Sequence, residues 1–231
     1  MGVLTEFFSS RVWEVMVTSF PRLLGYGLRI TIPLAVISFL LALLIAVGVA
    51  LVQYARLRFL SQVCRFYVWI VRGTPLLVQL YIVFYGLPKL GITLDAFPSA
   101  VLCLGLNEGA YMAESIRGAL ESVSQGQLEA GYCVGMSYLQ IMWHVVLPQA
   151  FRTAFPTMSN SFISMVKETS MAASITVMEM FRQAQVIKGR VYEPLGLYVE
   201  VALIYLVFCT ILTGVQHWGE RKLRSYGGEK T

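Results

Sequence analysis

The sequence predicts an all-α fold: an integral membrane bundle of five transmembrane helices, with a two-helix cytoplasmic elbow and an N-terminal interfacial helix. Three observations lead there. Hydrophobic residues make up 57% of the 231-residue chain and charged residues only 13%, against roughly 25% charged in an ordinary soluble domain. Mean hydropathy is +0.66, so much of the apolar surface has to face lipid. Five apolar runs are long enough to cross a hydrocarbon core of about 30 Å as helices. Between the third and fourth stands EAGYCVGMSYLQIMWHVVLP, Glu129 to Pro148, too structured in pattern for a plain polar loop.

Residues 1–20 come first. Leu4, Phe7, Phe8, Val12, Val15 and Met16 share one helical face, with Glu6, Ser10, Arg11 and Glu14 largely elsewhere. That is the pattern of a helix lying in the membrane interface. The acidic residues and the lack of a basic start argue against a signal peptide. Pro21 and Gly25 are expected to turn the chain inward, opening a membrane domain over residues 21–218.

The first span is the uncharged run Ile30 to Ala55, where Ser38, Ala42, Ala46 and Ala50 make a small-residue stripe for close helix contact. The second runs from about Phe66 to Leu87, with a kink expected at Arg72-Gly73-Thr74-Pro75 because Pro75 frees the carbonyl four residues earlier. The third covers about Phe97 to Arg117, the fourth about Ala150 to Val177 and the fifth about Leu195 to Gln216. Residues 219–231 form a polar tail.

Basic residues orient the bundle. Arg56, Arg58, Arg65, Arg117, Arg152, Arg221, Lys222, Arg224 and Lys230 lie on one side, nine against six. Opposite them are Arg11, Arg22, Lys89, Arg182, Lys188 and Arg190. This puts the N-terminus outside and the C-terminus and the elbow in the cytoplasm.

Within the elbow, Glu129 to Val134 and Met136 to Val146 read as two helical pieces. Gly135 is the natural bend between them. Pro148 is expected to end the second piece before the fourth span. Physically such an elbow is either an amphipathic loop with a solvated acid or a surface offered to a partner.

Ionisable groups inside a span are costly and are functional candidates. Asn107 and Glu108 sit halfway along the third span, and no basic residue lies one turn from Glu108. In the fourth, Asn160, Ser164 and Lys167 share a face, with Glu168 beside them. A zwitterionic amino acid would satisfy both Glu108 and Lys167. Alternatively, Lys167 and Glu168 neutralise each other or bind a partner subunit. Arg72 either snorkels to the interface or serves the pathway. Glu114, Arg117 and Glu121 have the spacing of an ion-pair ladder.

Other chemistries find no footing. The basic residues are scattered, unlike a nucleic-acid footprint. His144 and His217 are too separated for a metal site, and Cys64, Cys103, Cys133 and Cys209 show no metal spacing. No nucleophile–base constellation and no Gly-rich phosphate loop occur, so no catalytic residue is assigned and the chain is not expected to bind ATP itself.

The elbow resembles the signature loop of the membrane subunits of bacterial ATP-binding-cassette importers: Glu-Ala-Ala, three residues, Gly, nine residues, Ile, one residue, Leu-Pro. Glu129, Ala130, Gly131, Gly135, Val145, Leu147 and Pro148 keep that spacing, with Gly131 for the second alanine and Val145 for isoleucine. FYVWIVRGTPLLVQLYIVFYGLP, LNEGAYMAESIRGALESVSQGQLEA and LPQAFRTAFPTMSNSFISMVKETSMAASI resemble the polar amino-acid branch, so the likeness covers about Leu24 to Trp218. FRQAQVIKGR is similar to branch members that carry cystine and related sulfur amino acids. The resemblance implies a permease subunit, not an enzyme, working by alternating access. It implies a second permease subunit (copy or paralogue), two cytoplasmic ATPases that hold the ATP and Mg, and an extracytoplasmic solute-binding protein. It also implies that the elbow seats on an ATPase. An ATP-independent channel or carrier would not need such a lever, and a purely structural anchor would not need Glu108, Lys167 and Glu168.

Overall fold

A computed structural model describes residues 10–55 and 57–225, which form helices and connecting turns with no strand among them. In order, the α-helices are α1 (Ser10–Tyr26), α2 (Ile32–Tyr54), α3 (Arg58–Arg72), α4 (Leu76–Tyr81), α5 (Ala96–Glu121), α6 (Gln125–Cys133), α7 (Tyr138–Ile141), α8 (Leu147–Glu168), α9 (Met180–Val191) and α10 (Pro194–Ser225).

Prolines explain much of the local detail. Three wide π turns, Gly27–Thr31, Ile82–Gly86 and Met142–Val146, each stand just ahead of an Xaa-Pro pair. The N–H of Ile32, Leu87 and Leu147 reaches back five residues, to Gly27, Ile82 and Met142 respectively. The next residue is Pro33, Pro88 or Pro148. A proline ring clashes with the carbonyl four residues earlier and supplies no donor. Widening the turn lets the helix continue past it.

That corrects two expectations. Pro148 does not end the second elbow piece: α7 runs through its π turn straight into α8. Nor does the chain turn at Pro21 and Gly25, because Arg11–Tyr54 is one helical run of 44 residues. Residues 1–9 of the expected interfacial helix lie outside the described residues, as do residues 226–231 of the tail. The tail before them is helical through Ser225.

Two other expectations shift. The helix expected as the second span begins at Arg58 and is broken at Gly73–Pro75, where it gives way before α4. The helix of the fourth ends at Glu168, and Thr169–Ile175 continues as a tighter 3-10 turn closed by Thr176 in the left-handed region (φ 69°). By length and composition, two helices among the described residues suffice to cross a membrane: Arg11–Tyr54 and Pro194–Leu223. The broken pair Arg58–Arg72 and Leu76–Leu90 makes a third if it is one span. Helices α5 and α8, of 26 and 22 residues, are long enough but more polar. Asn107, Glu108, Glu114 and Arg117 lower the hydropathy of one, Arg152, Asn160 and Lys167 that of the other.

The chain packs into two compact units. The first takes the described residues up to Ser38, then Leu76–Leu104 and Ile163–Leu212. One of its cores gathers Leu34, Leu80, Leu104 and Ile175, and another Leu23, Met180, Leu197 and Phe208. The second unit takes Phe39–Pro75, Gly105–Phe162 and the described residues from Thr213. Its core joins Ala50, Ala119 and Leu120 to Ile141, Met142 and Val146 of the elbow. There α5 meets α2 through glycines: a Cβ on Gly105 would lie 2.7 Å from Leu41, and one on Gly109 3.1 Å from Ile45. Ala42, Ala46 and Ala50 are fully buried, so the small-residue stripe is used inside this chain.

Candidate functional site

The elbow is built on the ends of α2 and α5. Ile141, Met142 and Val146 turn inward onto Ala50, Ala119 and Leu120, with Val145 and Leu147 packed at the margin. Gly135 stands at the bend with φ 80°, in the left-handed region where a Cβ is penalised. Its N–H and that of Met136 bond the carbonyls of Tyr132 and Gly131, closing α6. Ser137 then caps α7 in a capping box: its Oγ accepts from Gln140 N–H, while Gln140 Oε1 accepts from Ser137 N–H at 2.8 Å. The second piece therefore starts at Tyr138 rather than Met136.

Gly131 has a reason of its own. A Cβ there would meet Cγ1 of buried Ile141 at 2.7 Å, so glycine lets α6 lie directly against α7. The outward side of the elbow carries Glu129 and Ala130, both exposed, and Pro148. It also carries exposed Val134 (76%), Leu139 (68%) and Trp143 (68%). Reading the sequence for charge singled out Glu129 and passed over these apolar side chains. Their signal was a run of large hydrophobics in a segment outside the spans, which ordinarily marks a contact surface.

The polar groups within the helices divide between the units. In the second, Asn107 and Glu108 of α5 are buried at 8% and 7% exposure. Beside them, Tyr67 donates its hydroxyl to the Leu106 carbonyl at 2.6 Å. Arg72 stacks its guanidinium 5.0 Å from the centre of the Tyr111 ring, a cation–π contact. The ladder forms as its spacing predicts: Arg117 holds Glu114 and Glu121, each at 2.8 Å. Asn160 of α8 is exposed.

In the first unit, Ser164 and Glu168 are half-buried and Lys167 is exposed near the end of α8. Lys167 and Glu168 form no ion pair with each other. The most enclosed acid there is one the sequence reading missed. Glu179 is fully buried and caps α9, accepting from the N–H of Phe181 at 2.8 Å, from that of Arg182, and from the Tyr205 hydroxyl at 3.1 Å. Met180 N–H, next in line, goes to Thr31 Oγ1 at 3.1 Å. Burial pushes the Glu179 carboxyl up to about 7, even though these hydrogen bonds favour the ionised form. Its signal was an acid directly before a helix, in a position usually held by shorter side chains. Glu200 is similarly buried and accepts from Ser19. Among the described residues no three His, Cys, Asp or Glu side chains gather as metal ligands would.

Residues 38–225 match the family described as binding-protein-dependent transport system inner membrane component. The chain belongs to that family. Among curated relatives it is 46% identical to the L-cystine transport system permease protein TcyB of Bacillus subtilis (strain 168), over 93% of this chain and 92% of that one. It is 41% identical to PatM of Vibrio harveyi, a probable amino-acid ABC transporter permease protein, over 91% and 96%. A crystal structure of an amino acid ABC transporter with histidines superposes with a TM-score of 0.84 at 32% identity, covering 90% of this chain and 96% of that one. The MetNI methionine ABC transporter, in inward-facing conformations, shares the fold at a TM-score of 0.73 and 18% identity, over 87% and 96%. This family member is thus nearly all helical in its described residues and has the fold of an ABC permease.

Proposed function

We propose that this chain is the membrane permease of an ATP-driven importer of a polar amino acid, with cystine as substrate, working by alternating access. The observation that carries the reading is the 46% identity to an L-cystine permease over nearly the whole of both chains. In this reading five spans cross the cell membrane, with the N-terminus outside and the elbow and C-terminus in the cytoplasm. A second permease subunit, copy or paralogue, completes the pathway. Two ATPases bind the ATP and Mg, and an extracytoplasmic solute-binding protein delivers the amino acid.

The elbow suits an ATPase groove on physical grounds. Its inner face is fixed to the ends of α2 and α5, so a push on α6 and α7 moves those helices directly. Its outer face offers a charge at Glu129 and apolar anchors at Leu139 and Trp143. Along the pathway, Glu108 meets the substrate's ammonium and Lys167 its carboxylate, with Asn107, Asn160, Ser164 and Glu168 as polar lining.

Uptake of a labelled amino-acid panel into vesicles holding the complete importer tests this. Cystine is expected to accumulate only with ATP and the binding protein. Glu108→Gln and Lys167→Met are expected to impair uptake without lowering the amount of assembled complex. ATP-independent uptake would point to a channel or carrier instead.

A further inference from the structure

The second unit holds a polar cavity of about 800 Å³ that the transport reading leaves unused. Its walls come from three helix ends: Gln53 near the close of α2, Arg58 and Arg65 of α3, and Glu114, Arg117 and Glu121 at the close of α5. Arg58 and Arg65 stand seven residues apart, on one face of α3. Neither makes an ion pair among the described residues, whereas Arg117 is fully engaged with the two glutamates. Three guanidiniums against two carboxylates leave the cavity with one positive charge in excess.

Gln53 supplies the second observation. It is only 9% exposed, and its buried amide nitrogen Nε2 has no hydrogen-bond partner among the described residues. A buried donor without an acceptor is costly, and native proteins rarely keep one. Here it lines the same cavity as Arg58 and Arg65, which are exposed and bond no acceptor among the described residues. The three donors together fit a carboxylate. Glu114, holding one guanidinium bond, and Glu121, holding two, retain lone pairs for an ammonium and would repel a polyanion.

We propose that this cavity binds a free α-amino acid. Its carboxylate lies between Arg58, Arg65 and Gln53 Nε2, and its ammonium against Glu114 or Glu121. Gln53 follows Ala50 by three residues, and Arg117 and Glu121 flank Ala119 and Leu120, the residues on which the elbow packs. A bound amino acid would tie together the helix ends that the elbow has to move. Occupancy therefore slows the cycle, and the site reports amino acid accumulated on the elbow's side of the membrane. This rests on the importer reading for its consequence but not for the binding itself.

The test uses the complete importer in vesicles preloaded with L-cystine on the elbow side. Preloading is expected to slow uptake at least about fivefold, the lower end of ordinary coupling between two sites. Arg65→Gln and Gln53→Leu are expected to abolish that slowing while uptake into empty vesicles continues. Slowing that is equal in wild type and both variants would overturn the proposal. So would an Arg65-dependent slowing that follows anionic lipid content and not preloading, which would give the cavity to a lipid headgroup. Failure of the importer reading looks different: no uptake even into empty vesicles. In that case, binding of labelled L-cystine to the complex in nanodiscs without the binding protein still decides, and binding unaffected by Arg65→Gln, or none at all, would overturn the proposal.

Discussion

The buried acids of the first unit differ from the charged helix ends of the second. In the first, Glu179 and Glu200 are both buried; Glu179 is satisfied by hydrogen bonds from its own unit, while Glu200 accepts from Ser19 through one oxygen only. In the second, the guanidiniums and carboxylates at the helix ends line an open cavity, while Leu139 and Trp143 of the elbow stay exposed. Groups satisfied internally leave nothing to offer a partner, and groups left open are available to one. The difference teaches that burial ties the Glu179 carboxyl to its own helix cap, whereas the charged helix ends of the second unit stay open to a ligand.

The sharpest way to break this contrast is to remove the buried acid. Glu179→Ala strands the N–H groups of Phe181 and Arg182 and the Tyr205 hydroxyl in the interior, at about 1–3 kcal/mol for each unsatisfied group. Thermal unfolding of the purified complex is expected to show the largest loss of the series. A change within error would mean that Glu179 does not secure α9.

Next comes the contact of α6 with α7. Gly131→Ala drives a methyl into Ile141 and is expected to cost about 1–3 kcal/mol by overpacking. Trimming the obstacle with Ile141→Ala should make the double variant less damaged than the sum of the two single changes. Strict additivity in the same unfolding assay would remove steric contact as the reason for this glycine.

The Gly135 bend comes third in stability and first in consequence. Gly135→Val places a β-branched residue at φ 80°, a cost of roughly 1–2 kcal/mol confined to an exposed bend. Uptake is expected to fall while ATP hydrolysis and assembly persist. Normal uptake would end the view of the elbow as a lever.

A further effect is a dependence on pH. The Glu179 carboxyl is raised from 4.5 to about 7, so the folded protein holds this proton more tightly than the unfolded chain does. Its contribution to stability is therefore greatest at low pH, declines as pH rises from about 4.5 to about 7, and is flat above. Glu179→Gln should remove that decline from a melting-temperature series. A decline of equal size in the variant would assign it to other groups.

Much of this architecture is legible along the chain. Composition gives the helical membrane class, the Gly-Thr-Pro triplet the break after Arg72, and the spacing of Glu114, Arg117 and Glu121 their ladder. Gly135 announces a bend because only its missing Cβ suits positive φ. These are local rules, set by a residue and its near neighbours in sequence. The elbow's resemblance to the importer signature loop is legible for the same reason, since its spacing is carried within twenty residues.

Prolines show where local reading fails. A proline forbids one hydrogen bond and one carbonyl position, but it does not say whether the helix stops or widens. Surrounding contacts decide that: at Pro148 the packing of Ile141, Met142 and Val146 on Ala50 and Leu120 keeps the helix running through a π turn. The burial of Glu179 depends on Thr31 and Tyr205, which are far from it in sequence, and the role of Gly131 depends on where Ile141 comes to lie. The cavity at Gln53 needs three helix ends to converge. The sequence by itself determined which segments are helical, apolar and bendable, because those properties follow from backbone sterics and transfer to lipid. Only the tertiary structure decided which acids are enclosed, which prolines are bridged and which donors are left without an acceptor, because each of these depends on a distance between residues that the chain order does not contain.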